Sequence, residues 1–258
     1  MSMVLNRREG AVAILTLNNP EQYNALAAGV LDGLNASLDQ AIADPQVRAI
    51  LLTGAGKGFC SGAQFGGDTF GRGGSIGEMM RANISPLIEK LHASPKPVVT
   101  AVNGAAAGAG VGIALAGDLV FVGRSARFIL SFVRLGAVLD GGTSLLLQRS
   151  IGAARARALA LTGEPLTGER AAEWGLVWKC VDDEALMAEA LAAAERLAAG
   201  PPLAIAMIKQ QLDDAWTDEL STTLDQEATA QTSAFVTADL REGAAAFVEK
   251  RAPRFTGK

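Results

Sequence analysis

Two short apolar runs, 11–17 (AVAILTL) and 47–53 (VRAILLT), are rich in β-branched residues. Each stops at turn formers, Asn18-Asn19-Pro20 and Gly54-Ala55-Gly56. Continuous apolar runs of this length predict strands buried on both faces. Between them apolar residues recur at Val30, Leu31, Leu34, Leu38 and Ile42, the spacing of one helix face, which predicts a helix over 27–43. The runs 97–102 (PVVTAV) and 118–122 (DLVFV) predict two more strands. The Gly/Ala-rich stretch 104–117, ended by Asp118, predicts a buried helix, because its length falls short of the ~18–20 residues that span a bilayer. Segment 54–74 carries too many glycines for regular structure and reads as a functional loop. From 141 onward the pattern turns helical, over 141–151, 153–162, 183–199, 202–215, 217–236 and 238–250. The breaks fall at Gly152, Gly163, Gly200-Pro201-Pro202 and Thr237. Strands alternating with helices predict an α/β core, residues 1–195, followed by a helical region, 196–258.

Charge and composition remove several function classes. The 258 residues carry 23 Lys plus Arg against 27 Asp plus Glu, a net charge of −4, with no basic run to grip a phosphate backbone. No nucleic-acid or membrane partner is expected. Cys60 and Cys180 are too few for a disulfide scaffold and suit a reducing compartment. The first ten residues, MSMVLNRREG, lack an apolar signal core, so a cytoplasmic location is expected. His92 is the only histidine, in a helical stretch where a solvated or helix-end role is the ordinary one. One histidine and two distant cysteines do not assemble a tetrahedral zinc site or a Cys-His pair. Gly108-Ala109-Gly110 imitates a dinucleotide fingerprint, but its third glycine position is Ile113. Backbone hydrogen bonding and carboxylate acid/base chemistry remain.

Two places offer backbone donors at which small residues admit a ligand: Phe59-Cys60-Ser61-Gly62-Ala63 and Gly108-Ala109-Gly110, the latter at a helix start. Tight helix packing explains the second equally well. Asp140 is a single charge in the apolar segment LGAVLDGGTSLLL. It reads either as an N-cap accepting from the amides of Gly142 or Thr143 or as a general base in a dry pocket. Burial would raise its pKa and a helix N-terminus would lower it, so both readings stay open.

The segments LTLNNPEQYNAL, GKGFCSGAQF and PVVTAVNGAAAGAGVGIALAGDLVF occur in that order, and together they resemble the crotonase (enoyl-CoA hydratase/isomerase) superfamily from about Val12 to the C-terminus. The resemblance implies a ββα spiral core with a helical C-terminal trimerisation region, assembled as a homotrimer or dimer of trimers. It implies an acyl-CoA substrate, with coenzyme A part of that substrate and no separate cofactor. The amides of Ala63 and Ala109 would form an oxyanion hole. Gln22, Tyr23 and Ala25 would wrap the coenzyme A moiety, and Ser61, Gln64, Phe65, Gly108, Phe132 and Leu135 would complete the substrate site. The two glutamates that hydratases use fall on Gly112 and Phe132, so both carboxylates are missing, whereas Asp140 aligns with the acid of isomerase members. Proton-transfer isomerisation is the implied reaction, a double-bond shift or a ring-epoxide rearrangement, with enoyl-CoA hydration as the alternative. The chain departs from the family before Gly141-Gly142-Thr143, where relatives usually have one more residue, and Leu139 replaces a common proline.

Overall fold

The computed structural model describes residues 2–63 and 73–258. Strands β1 (Val4–Glu9), β2 (Val12–Leu17), β3 (Ala49–Gly54), β4 (Gly58–Cys60), β5 (Val98–Val102), β6 (Ala105–Ala107), β7 (Leu119–Gly123), β8 (Arg127–Ile129), β9 (Leu166–Thr167) and β10 (Lys179–Val181) form two sheets. The larger has the order β1-β2-β3-β5-β7-β10 and is parallel except at β1, which pairs antiparallel with β2 (Val4 opposite Leu17, Glu9 opposite Val12). The smaller has the order β4-β6-β8-β9.

The helices are α1 (Ala28–Ala43), α2 (Gly73–Met79), α3 (Ser85–His92), α4 (Ala109–Leu115), α5 (Thr143–Thr162), α6 (Gly168–Glu173), α7 (Leu186–Ala199), α8 (Pro202–Asp214), α9 (Leu220–Phe235) and α10 (Ala238–Glu249). A π-helical turn, Met80–Ile84, joins α2 to α3. Each turn of the chain lays down a long strand, then a short one, then a helix: β3, β4 and α2–α3; β5, β6 and α4; β7, β8 and α5. The first turn replaces its short strand with a parallel bridge from Leu26 to Ala63 and continues into α1. This repetition is the ββα spiral that the resemblance implied.

The apolar runs are continuous because both faces of the large sheet are covered. Leu15, Ile50, Leu52, Val102 and Val120 face α1 and α4, whereas Val12, Ile14, Ala49, Leu51, Val99 and Phe121 face α7. Burying one such side chain stabilises the fold by roughly 1.5–3 kcal/mol relative to leaving it exposed. The edge strand β1 buries only Val4, which is why VLNRRE carries no apolar run. Helix α7 crosses residue 195 and packs on the sheet along its length. Beyond Gly200, α8 and α9 bury no residue.

The expected helix over 104–117 divides. Ala105–Ala107 pair with β4 and β8, Gly108 turns the chain at φ 53°, and only Ala109–Leu115 are helical. A Cβ at Gly104 would lie 2.1 Å from the Lys57 carbonyl oxygen, so this backbone is pressed against the β3–β4 turn and takes a strand there. The break expected at Gly152 is present, with φ 77° and ψ 163° inside α5. Segment 54–74 is not all loop: β4 lies within it, and α2 begins at Gly73.

One buried side chain ties the first turn of the spiral to the second. Asn24 has left-handed backbone (φ 57°) and is wholly buried. Its Oδ1 accepts from the Asn19 N–H at 2.8 Å, and its Nδ2 donates to the carbonyls of Gly58 (2.8 Å), Ala55 (3.0 Å) and Phe59 (3.1 Å). Asn24→Ala leaves buried carbonyls without a donor and is expected to cost about 3 kcal/mol. Denaturant unfolding checks this; a loss under about 1 kcal/mol would show that the turn holds without it.

Candidate active site

The site begins where β4 and β6 end side by side. Gly58 lies opposite Ala105 and Cys60 opposite Ala106, so the next residues of both strands emerge together. Gly62 has φ 82°, and a Cβ there would lie 2.6 Å from the Ala107 carbonyl oxygen and 3.2 Å from the Ala109 nitrogen. Only a residue without a side chain fits. The 60–63 segment is held from its other side as well. The Ser61 N–H donates to the Tyr23 carbonyl (2.9 Å), the Ser61 hydroxyl to the Gln22 carbonyl (3.1 Å), and the Leu26 N–H to the Gly62 carbonyl (2.8 Å). Phe59 and Cys60, fully buried, anchor its root. Burial pushes the Cys60 thiol up to about 12, so it is not a nucleophile.

Among the described residues, the Ala63 and Ala109 amides donate to no protein acceptor. Free N–H groups aimed from two rigid strand ends stabilise an oxyanion, each for roughly 3–4 kcal/mol in comparable sites. They open into a chamber of about 650 Å³. Ser61, Ala63, Gly108 and Ala109 line one wall, Phe132, Leu135 and Asp140 another, and Ile76, Met79, Met80 and Ile84 a third. The methionine wall lies on α2 and the π turn, where no spacing in the sequence announced it. Asp32, an exposed residue at the end of α1's first turn, also reaches the chamber and was not anticipated.

Of the expected substrate residues, Gln22, Tyr23 and Ala25 do not line this chamber. They form the neighbouring loop, with Tyr23 half exposed and Ala25 buried, and the carbonyls of Gln22 and Tyr23 accept from Ser61. Gln64 and Phe65 lie outside the described residues. Phe132 is buried, its ring 3.8 Å from where a Cβ on Gly108 would stand, and Gly112 is buried in α4. Neither position holds an acid. His92 ends α3 and lies 3.2 Å from Asp213, away from the chamber, in the ordinary role.

Asp140 is not a helix cap. The N-cap of α5 is Gly142, with no side-chain cap bond. Gly141 (φ 58°) and Gly142 (φ 77°) are both left-handed, and this turn brings the Asp140 carbonyl, not its carboxylate, to Thr143, accepting from the N–H at 3.1 Å and the hydroxyl at 2.7 Å. The carboxylate Oδ1 is buried without a hydrogen-bond partner among the described residues. With no helix amide on the side chain, burial acts unopposed and raises its pKa to about 6.

The site is thus a mostly apolar chamber with two backbone donors that are free among the described residues and one carboxyl whose pKa is raised to about 6. The family model for enoyl-CoA hydratase/isomerase matches residues 7–258. The chain is 43% identical over 261 residues to the 1,2-epoxyphenylacetyl-CoA isomerase of Escherichia coli (strain K12), covering 100% of both chains. It is 41% identical to a Rhodobacter capsulatus protein named "Probable enoyl-CoA hydratase", covering 96% of this chain and 95% of that one. It superposes on the crystal structure of an enoyl-CoA hydratase from Polaromonas sp. JS666 with a TM-score of 0.90 and 34% identity, covering 98% of this chain and 99% of that one. The chain belongs to the enoyl-CoA hydratase/isomerase family, the crotonase superfamily.

Proposed function

We propose that this enzyme is an acyl-CoA isomerase, of the kind named for the Escherichia coli relative or one that shifts a double bond along an acyl chain. The observation that carries this reading is the lone Asp140 carboxyl, half-buried with its Oδ1 unpartnered among the described residues, in the chamber that Ala63 and Ala109 also line, with glycine and phenylalanine at the other two acid positions. The thioester oxygen of an acyl-CoA would sit between the Ala63 and Ala109 N–H groups. Asp140, as carboxylate, takes a proton from the carbon next to the thioester. The C–H electron pair moves toward the carbonyl oxygen, and the two amides hold the resulting enolate. Return of that proton to a carbon further along the chain completes a double-bond shift with one acid/base group. In a ring-epoxide substrate the carbon–carbon bond shared by the ring and the epoxide breaks, its electron pair joining the neighbouring double bonds as the oxygen enters a seven-membered ring, and the same proton transfer shifts a double bond of that ring. Adding water calls for a group to activate it as well as one to protonate the enolate, and a single carboxyl does both poorly. The methionines and Phe132 give the chamber an apolar, deformable lining suited to a bulky or aromatic acyl group.

The hydratase reading keeps support from the similarity to proteins named hydratases. Turnover of crotonyl-CoA separates the two. We expect it far below an ordinary hydratase, and a rate above about 10² per second would favour hydration.

We also propose that the chain works as a homotrimer or dimer of trimers. Leu212 of α8, Trp216 in the turn after it, and Leu220 and Leu224 of α9 are all more than half exposed in the single chain. An apolar surface of that extent marks an interface. Sedimentation at micromolar concentration should show the assembly, and a monomer would contradict it.

Three further outcomes concern Asp140. Asp140→Asn keeps the side chain's size and removes its basicity, so turnover should fall by roughly 10²–10⁴ while affinity for a non-reactive acyl-CoA changes little. In the native enzyme kcat/KM should decline as pH drops through about 6, where the carboxylate takes up its proton. A flat profile between pH 5 and 8 would contradict this base.

The third outcome is a stability effect. The folded-state pKa of Asp140 is raised, so the folded protein holds this proton more tightly than the unfolded chain. Ionisation therefore costs stability, beginning above the unfolded pKa and complete once pH passes about 6. Asp140→Asn removes the cost. It should be more stable than the native protein at pH 8 by about 1–2 kcal/mol, discounted from the full shift for solvent access at the chamber mouth, and no more stable at pH 3. Thermal unfolding at the two pH values reads this directly; a variant less stable at pH 8 would contradict it.

A further inference from the structure

At Gly112 and Gly141 the turn that carries Asp140 lies against the backbone of α4. A Cβ at Gly112 would lie 2.0 Å from the Gly141 carbonyl oxygen, 2.8 Å from its carbon and 3.0 Å from the Gly141 Cα. Those are backbone atoms, so no side-chain rotation relieves the overlap. Seen from the turn, a Cβ at Gly141 would lie 3.3 Å from the Ala109 Cα and 3.4 Å from the Ala109 carbonyl oxygen. Ala109 and Gly112 are three residues apart and share a helix face. Residue 141 therefore sits on the helix turn whose first amide is one of the two free donors, one residue after the carboxyl. Its left-handed φ of 58° and that of Gly142, 77°, let the chain lie down on the helix and then leave it into α5.

We propose that Gly112 and Gly141 form a backbone seat that sets the position of the Asp140 carboxylate relative to the Ala109 amide, which makes Gly112 a positioning residue for the proton transfer. This rests on the reading of Asp140 as the base. The seat couples two groups that come from different turns of the spiral and that no hydrogen bond joins. Any side chain at 112 lifts residues 139–142 away from α4 and carries the carboxylate with them. The Ala63 amide belongs to another strand and stays in place, so the thioester can still dock. The seat also closes position 112 to a second acid, since the Gly141 carbonyl already fills the space a side chain would enter. The number of carboxyls in this chamber is thus limited by backbone packing, and substituting glutamate at Gly112 would displace the existing base before it supplied a new one.

The experiment is a mutant cycle read by steady-state kinetics on a 3-enoyl-CoA, with thermal midpoints measured alongside. Gly112→Ala should lower kcat by about 10²-fold, the scale of a misplacement near 1 Å, while KM stays within about threefold of the native value. Added to Asp140→Asn, the same substitution should cause no further loss, because its effect runs through a carboxylate already gone. If Gly112→Ala does not fold, Gly141→Ala carries the same test: its Cβ would stand 3.3 Å from the Ala109 Cα, and the strain of a side chain at φ 58° is read separately from the thermal midpoint. A loss of equal size in both backgrounds, or a native kcat in the alanine variants while Asp140→Asn is inactive, would overturn the seat and leave the base reading intact. A native rate in Asp140→Asn alone would overturn the base reading, and the role assigned to the seat with it.

Discussion

Two strand ends can present free amides to one ligand atom only if nothing but backbone lies between them. Here that condition is met at Gly62, whose missing side chain is the gap into which the Ala107 carbonyl and the Ala109 nitrogen fit. The rest of the site follows from this approach. The parallel pairing of β4 with β6 aims both chains into the chamber, and the Leu26 bridge and the Tyr23 carbonyl hold the 61–63 segment against it. Buried Asn24 fastens that loop to the β3–β4 turn. The donors are main-chain groups on rigid elements, so they need little rearrangement when charge develops on a bound oxygen.

Asp140 shows the opposite economy. A half-buried carboxylate whose Oδ1 has no hydrogen bond among the described residues lowers the stability of the fold, and the apolar core on both faces of the large sheet offsets that cost. Its pKa near neutrality is a direct consequence of the same exposure deficit. A donor added to relieve the carboxylate would return it toward the ordinary aspartate range and weaken it as a base. Stability and proton affinity at this position are therefore tied to one another.

The large sheet was legible because β2, β3, β5 and β7 are covered on both faces, which writes them as unbroken apolar runs, and α1 shows its face at helical spacing. Three-residue strands such as Gly58–Cys60 and Ala105–Ala107 have no periodicity to read. The alanines of β6 favour a helix on propensity alone, and only their neighbours in the small sheet override it. The amide donors were visible as glycine-flanked small residues, but their meeting depends on a strand register that spacing does not contain. Asp140 was visible as an isolated charge, and what removes the cap reading is the left-handed geometry of Gly141 and Gly142, which no spacing displays. Met79 and Met80 reach the chamber from a π turn, a break in helical period that an apolar pattern does not reveal.

The central claim is that two amides and one carboxylate suffice to form an enolate from a bound thioester. Proton exchange at the carbon beside the thioester of phenylacetyl-CoA, which has no alkene or epoxide to rearrange, isolates that step. In D2O the native enzyme should wash deuterium into this position, followed by NMR or mass spectrometry, and Asp140→Asn should bind the same compound without exchanging it. Exchange by the variant at the native rate, or none by the native enzyme with the compound bound, would contradict the account.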